Sequence, residues 1–505
     1  MSTNLEDIMP VFRYETHLPY PREEVFRWFT RPGALVRLTP SFFGTILDEP
    51  SDGINPGSTA AMGVGAPGGL GMWLGSAAGT VRGMLPARLG WARPELRWDA
   101  LHTELVPNES FTDVMAKGPL ASSSHKHSFF DGEPGTTVML DEMHYELPSP
   151  VRGAWTHQRM EAELARMFAF RERQLRGDLA FHAAHSAAGA DDGEPLVIAV
   201  SGASGLVGRA LCALLGGGGH TVLKLVRRAP RSSDEIYWNP EAGHLDKAGL
   251  ARATVVIHLA GHPIGGRFTE SNKEAILQSR VLGTGLLAKS LATLAADGVR
   301  RTLVSGSAVG YYGADPKSAA GMSSPPPLVE SDPNGTDFLA SVCRRWEAEC
   351  APAADAGVRV VNVRTGIVLS AGGGVLQRLL PLYLAGVGGP LGNKQWQSWV
   401  GIDDIAGIFA HAALSQDVSG PVNGVAPHPV QAAEFARILG KVLHRPAVVK
   451  VPALGPQLLL GKQGAAELAM ANQRVSAHRI QDSGYEFRHG DLDSALRHIL
   501  GAPPR

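Results

Sequence analysis

With 505 residues the chain is too long for one hydrophobic core, so roughly two to four domains are expected. Apolar content of 44% and charged content of 19% exclude an intrinsically disordered chain. A formal net charge of −1 with a pI near 7.0 gives no electrostatic pull toward nucleic acid or an anionic membrane.

The N-terminus, "MSTNLEDIMPVFRYE", carries early acids and no apolar core of a signal peptide. No window approaches about 18 uncharged apolar residues, so no membrane span is expected. Cys212, Cys343 and Cys350 form no disulfide framework and no C-x-x-C pair, which suits packed thiols in a reducing cytoplasm.

"VFRYETHLPY" alternates like a strand, and "PREEVFRWFTRPGALVRLTP" reads as a short helix opened by Pro21. Further strand-like runs come in "TELVPNESFTDVMAKG", in "SSSHKHSFFDG" with its Asp-Gly turn, and in "TTVMLDEMHYELP". The segment "RMEAELARMFAFRERQLRGDLAFHAA" places Met160, Leu164, Met167, Phe168, Leu175 and Leu179 roughly on one side of a long helix. The simplest assembly is a curved antiparallel sheet gripping that helix around an apolar cavity. The order of elements over residues 10–183 resembles the START-like, polyketide cyclase-type ligand-binding fold, which implies a hydrophobic small-molecule ligand. Phe42, Phe43, Trp73, Trp91 and Trp98 either line such a cavity or form ordinary aromatic core. His125 and His127, at i and i+2, face one side of a strand, but no further ligand is evident nearby, so no metal is expected.

"HSAAGADDGEP" is small, polar and Gly/Pro-containing, a linker over residues 185–195 between a first domain at 1–184 and the remainder of the chain. Beyond it, buried strands alternate with helices: "LVIAVSG", "LVGRALCALLGGGG", "HTVLKLVRR", "ATVVIHLAG", "RTLVSGSA", "VRVVNVRTGIVLS". Uniformly apolar, β-branched strands separated by helices predict a Rossmann-type, doubly wound parallel sheet over 196–424. A small, mostly helical lobe is expected over 425–505.

"GASGLVG" sets Gly202, Gly205 and Gly208 between the first strand and helix of this unit, with Ser204, Leu206 and Val207 among them. Glycines there permit a tight turn and close approach of a pyrophosphate to the positive helix N-terminus, so a dinucleotide is expected. The next strand ends in "KLVRRAP", offering Arg227 and Arg228 and no acid. A guanidinium fork suits a 2′-phosphate, so the expected cofactor is NADP(H), unless both arginines are simply solvated.

Together with "VVIHLAGHPIGG", "LVSGSAVGYYG", "NVRTGIVLSAGGG" and "QWQSWVGIDDIAG", these motifs resemble the extended short-chain dehydrogenase/reductases over residues 196–503. Within them the match is to an atypical, NAD-dependent epimerase/dehydratase-like or nucleoside-diphosphate-sugar epimerase-like subfamily. The resemblance implies that Leu259, Ala260 and Gly261 lie beside the cofactor, with Ser305 nearby and Thr365 and Gly366 toward the nicotinamide. It also sets Arg280 where relatives carry Asn, to reach a phosphate, to close the active site or to serve only as an ion-pair partner.

In that superfamily a Ser polarises the substrate carbonyl and a Tyr-x-x-x-Lys pair moves the proton. Ser307 stands at the serine position, but "DFLASVCRRWEAE" carries Leu339 and Cys343 where Tyr and Lys are expected. Tyr311, Tyr312 or His262 are the candidate replacement donors, or else aromatic packing and a solvated imidazole. Trp396 and Trp399 either line a substrate cleft or sit in the core, and Asp403 or Asp404 is expected to cap the following helix. Two functions remain: an NADP(H)-dependent oxidoreductase or epimerase for a carbonyl or sugar-nucleotide substrate, and a non-catalytic NADPH-binding sensor or scaffold.

Overall fold

A computed structural model describes residues 10–65, 96–149, 153–186, 194–316, 326–392, 394–449 and 454–504. Trp73 and Trp91 lie outside the described residues.

The N-terminal part contributes β1 (Val11–Leu18), α1 (Arg22–Thr30), α2 (Ala34–Leu38), β2 (Gly44–Asp48), β3 (Thr59–Val64), β4 (Leu96–Val106), β5 (Ser110–Lys117), β6 (Ser122–Asp131), β7 (Thr137–Glu146) and α3 (Ala154–Ser186). Among the described residues its seven strands form one antiparallel sheet in the order β1-β7-β6-β5-β4-β3-β2. Strand β7 alternates buried and half-buried positions without a break, the period-two signature of a sheet covered on one face. That face packs on α3, whose Leu164, Met167, Phe168, Leu175 and Leu179 are buried. Pro21 precedes α1, which buries Val25, Phe26, Trp28 and Phe29.

The sheet and the helix enclose a space lined by both apolar and charged side chains. One space of about 10 Å³ between them is bordered by Phe29, Met139 and Phe168 but also by His127, Asp141 and Arg171. Phe42 is core, edge-on to Phe170, while Phe43 and Trp98 are partly buried against the cluster around Tyr145 and Phe168.

The second part runs β8 (Val197–Ser201), α4 (Leu206–Gly217), β9 (Thr221–Val226), β10 (Glu235–Asn239), β11 (His244–Leu245), β12 (Val255–His258), α5 (Glu270–Leu294), β13 (Thr302–Ala308), α6 (Phe338–Ala348), β14 (Arg359–Thr365), β15 (Ile367–Ser370), α7 (Gly374–Leu384), β16 (Trp396–Gln397), β17 (Trp399–Gly401), α8 (Ile402–Leu414) and β18 (Gly420–Gly424). Its main sheet has the order β11-β10-β9-β8-β12-β13-β14-β18, parallel apart from β11. Ile198, Ala199, Val200, Val256 and Ile257 are fully buried, as continuous apolar runs in a doubly covered sheet require. The order reverses between β8 and β12, so a crevice opens at their carboxyl ends.

After β18 come β19 (Val430–Gln431), α9 (Ala432–Val442) and, at the end, α10 (Leu492–Leu500). The core of this lobe also takes Leu369, Leu376, Leu380 and Trp399, so it starts before residue 425: the chain leaves the sheet after β14 and returns for β18. Trp399 is therefore core, its indole N–H donating to the His428 carbonyl, and Trp396 lies under the Arg474 guanidinium.

The two parts meet closely. Glycine at 33 (φ +94°) opens α2 so near α4 that a Cβ there would stand 2.5 Å from the Ala213 Cα, and one on Gly216 would stand 2.7 Å from the Pro32 carbonyl. Beneath, buried Arg37 of α2 donates to Asp178 of α3 at 2.7 and 2.8 Å and lies 2.8 Å from Asp403 of α8. Arg488 reaches Asp178 at 2.6 Å, and His498 of α10 lies 3.4 Å from Asp403. Asp403 and Asp404 do not cap α8, whose N-cap is Gly401. Asp404 instead accepts from the Arg488 and His489 N–H groups and the Tyr485 hydroxyl. Among the described residues no helix is long and apolar enough to cross a membrane.

Candidate dinucleotide-binding site

Strand β8 ends at Ser201, and Gly202 turns the chain with φ +70°. A Cβ on Gly202 would meet the Ala260 nitrogen and the Leu259 carbonyl carbon at 2.9 Å, and one on Gly208 would stand 2.1 Å from the Gly202 carbonyl. The first glycine is therefore required by conformation and by the neighbouring loop, the third by helix-to-turn packing. Gly205 caps α4 with its N–H on the Gly202 carbonyl at 2.9 Å, leaving the first-turn N–H groups of α4 directed at the crevice.

Ser201, unremarked in the sequence, ties this loop to the next. Its Oγ accepts from the Leu259 and Ala260 N–H groups at 3.2 and 3.3 Å, so its own proton points to His258 Nδ1 at 2.6 Å. Burial pushes His258 down to about 3, which keeps that nitrogen a neutral acceptor.

Gly202, Ser204, Gly205, Leu206, Leu259, Ala260, Gly261 and His262 line one cleft of about 2180 Å³, with Arg227 and Arg228 at the end of β9. Its opposite wall is formed by the N-terminal part, by Gly33, Val36 and Arg37 and from Gly44 to Glu49, which sequence reasoning did not foresee. Val207 turns toward the core and Gly208 is buried behind the turn.

The two arginines differ. Arg228 forms a two-point ion pair with Glu235, which also accepts the Arg231 N–H at 2.7 Å, and these partners hold the Glu235 carboxyl down at about 2. An acid thus does stand near the end of β9, contributed by β10, but it is neutralised. Arg227 is exposed in the cleft and forms no ion pair among the described residues.

Other expected positions lie elsewhere. Arg280 donates to the His262 and Ile276 carbonyls at 3.1 and 3.0 Å and lies over the Trp346 ring, so it braces the loop after β12, and no ion pair to it is found among the described residues. Ser305 is buried, its hydroxyl donating to the Gly306 carbonyl. Thr365 bonds the Val363 carbonyl, and Gly366 is pressed against Ser398, where a Cβ would stand 2.4 Å from the carbonyl oxygen.

Ser307 is engaged by α6. Its Oγ donates to Glu347 at 2.6 Å, and Glu347 holds Arg364 at two points, each 2.9 Å. Arg364 donates to the Tyr312 hydroxyl at 3.2 Å, and that hydroxyl donates to Asn423 at 2.7 Å. Tyr312 is 2% exposed, its hydroxyl is held by Arg364 and Asn423, and burial pushes its phenol up to about 12. Tyr311 is half-buried with its ring against Arg364 at 3.4 Å. Leu339 and Cys343 turn inward onto Gly310, whose Cβ would lie 3.6 and 3.8 Å from them, and burial holds the Cys343 thiol up at about 12. His262 is exposed at the cleft, its Nε2 bonded to Asn272 at 2.9 Å.

A model of the NAD dependent epimerase/dehydratase family matches residues 198–424, and a model of a domain of unknown function, DUF1731, matches 451–499. An epimerase family protein of Mycobacterium bovis is 37% identical over 309 residues, 61% of this chain and 98% of that protein. The human epimerase family protein SDR39U1 is 34% identical over 308 residues, 60% of this chain and 99% of its own length. A solved structure of that human protein with NADPH superposes with a TM-score of 0.52 at 30% identity, covering 60% of this chain and 99% of that one. The crystal structure of a nucleoside-diphosphate sugar epimerase from Corynebacterium glutamicum is similar over 97% of this chain and 90% of its own, with a TM-score of 0.73 and 35% identity.

Proposed function

The chain belongs to the NAD-dependent epimerase/dehydratase family, and on that premise we propose that it binds NADP(H) in the cleft above Gly202 and acts as a reductase or epimerase on a carbonyl or sugar-nucleotide substrate. The observation that carries the cofactor choice is the pairing at the end of β9. Glu235 is consumed by Arg228, which leaves Arg227 as an unengaged guanidinium where a 2′-phosphate would sit. The pyrophosphate would lie on the first-turn N–H groups of α4, held to a backbone approach that only glycine at 202 and 208 permits. Bound there, the nicotinamide supplies or accepts a hydride. The human relative's structure with NADPH supports the same choice.

The proton step then cannot use a Tyr-x-x-x-Lys pair. With Tyr312 and Ser307 committed to the Arg364–Glu347 network, His262 at the cleft and Tyr311 beside Arg364 are the remaining donors. The same commitment favours the second reading, a non-catalytic NADPH-binding sensor. The N-terminal sheet and helix suggest a START-like domain. Its residues Gly33, Val36, Arg37 and Gly44 to Glu49 also support the cleft wall.

NADPH and NADH titrations by fluorescence test the cofactor: Arg227→Ala lowers the NADPH:NADH affinity ratio at least tenfold, and an unchanged ratio overturns the assignment. Tight NADPH binding with no absorbance change across a panel of carbonyl compounds and sugar nucleotides overturns the enzyme in favour of the sensor.

A further inference from the structure

The interior of the N-terminal sheet holds a group of side chains that the dinucleotide site does not use. Strand periodicity puts His125 and His127 of β6 on the face toward α3, where Phe168 meets the His125 ring edge-on at 5.5 Å. The ladders then deliver a carboxylate to each: Asp113 of β5 pairs with His125, and Asp141 of β7 pairs with His127.

The four groups alternate around a ring. Asp141 Oδ1 lies 3.0 Å from His125 Nε2 and 2.6 Å from His127 Nδ1. The opposite nitrogens face the other acid, Asp113 Oδ2 lying 3.8 Å from His125 Nδ1 and 3.9 Å from His127 Nε2. One donor atom from each of Asp113, His125 and His127 lies within 4.8 Å of the others. The two sets of distances mean different things. Spacings near 3 Å or below are hydrogen-bonding contacts, whereas bonds of about 2.0–2.1 Å to a tetrahedral ion place neighbouring donors about 3.3 Å apart. Only the Asp113 side is open enough to contract onto an ion.

Further observations point to a ligand. The His127 imidazole is 6% exposed, and with Nδ1 2.6 Å from Asp141 it turns Nε2 to the Asp113 side. Arg171, whose field falls on both acids, offsets one of their two negative charges.

We propose that Asp113, His125 and His127 bind a divalent transition-metal ion of the zinc class, with Asp141 orienting both imidazoles through their far nitrogens. A two-histidine, one-carboxylate set with an outer carboxylate is the donor chemistry such ions prefer. The site stands apart from the cleft and does not depend on which cofactor occupies it.

The tag-free full-length chain is dialysed against Zn²⁺ and, separately, Co²⁺. Elemental analysis is expected to find one ion per chain, and the Co²⁺ form to show visible ligand-field bands. His127→Ala and Asp113→Asn are each expected to weaken binding at least 100-fold, and Asp141→Asn by about 10- to 100-fold. Circular dichroism and NADPH titration report whether each variant is folded. Should the alanine variant not fold, the wild-type Co²⁺ spectrum decides alone. Absence of bands, substoichiometric metal in the wild type, or full retention in folded variants overturns the site.

Discussion

Ser201 shows how a small side chain can hold a site together without touching what binds there. It satisfies two N–H groups of the loop after β12 and passes its own proton to a histidine kept neutral by burial. Removing the hydroxyl leaves the Ala260 N–H bare, while the Leu259 N–H keeps the Ser201 carbonyl at 3.2 Å, so Ser201→Ala should cost about 1–3 kcal/mol in denaturant unfolding and weaken NADPH binding through the displaced loop. Gly208→Ala should abolish dinucleotide binding outright, because its methyl would enter the Gly202 carbonyl, 2.1 Å away. Isothermal titration checks both, and NADPH affinity unchanged in either refutes the corresponding role. The glycine triplet and both arginines were legible from spacing alone. Ser201 was not: a serine ending an apolar strand carries no mark until the neighbouring strand is placed beside it. Nor was the difference between Arg227 and Arg228, since Glu235 belongs to another strand.

Helix α6 was readable as a packing helix from its apolar face, and Leu339, Val342, Cys343 and Trp346 are buried as that face requires, with Asp337 capping. Its second job was hidden. Glu347 meets Ser307, forty positions earlier, and Arg364, seventeen later, and no helical periodicity predicts either partner. Replacing Glu347 by alanine strands the buried Arg364, so a loss of about 3–5 kcal/mol is expected in urea unfolding. A change below about 1 kcal/mol would mean that the network is not structural. Strands β5, β6 and β7 teach the same lesson. His125 and His127 were visible as a same-face pair, but their carboxylate partners depend on ladder register, which a lone sequence does not specify.

Across the whole molecule, the sheet-and-helix part, the parallel sheet and the helical lobe were each foreseeable from changes in hydrophobic period. Their docking was not, because it rests on a handful of buried charges scattered from Arg37 to His498. Asp178 and Asp403 are held below the ordinary carboxylate range by Arg37, with Arg488 adding to both and His498 to Asp403. Depressed folded values mean stability that is present above the unfolded pKa and lost as pH falls through the folded ones, so the docking should weaken progressively below about pH 4. Asp404 works with the opposite sign: burial raises it from 3.8 to about 6, so its ionisation costs stability as pH climbs between those values. Unfolding free energy followed from pH 3 to 7 should therefore show both limbs, and Asp404→Asn should flatten only the upper one. An upper limb that persists in that variant contradicts the assignment. The contact of Gly33 with Ala213 adds a calorimetric consequence. Backbone rests on backbone there, so the first part cannot peel away without stripping the helix that carries the phosphate turn. Heating should then give one endotherm, with calorimetric and van't Hoff enthalpies in agreement, and two resolved endotherms would show that the parts melt independently.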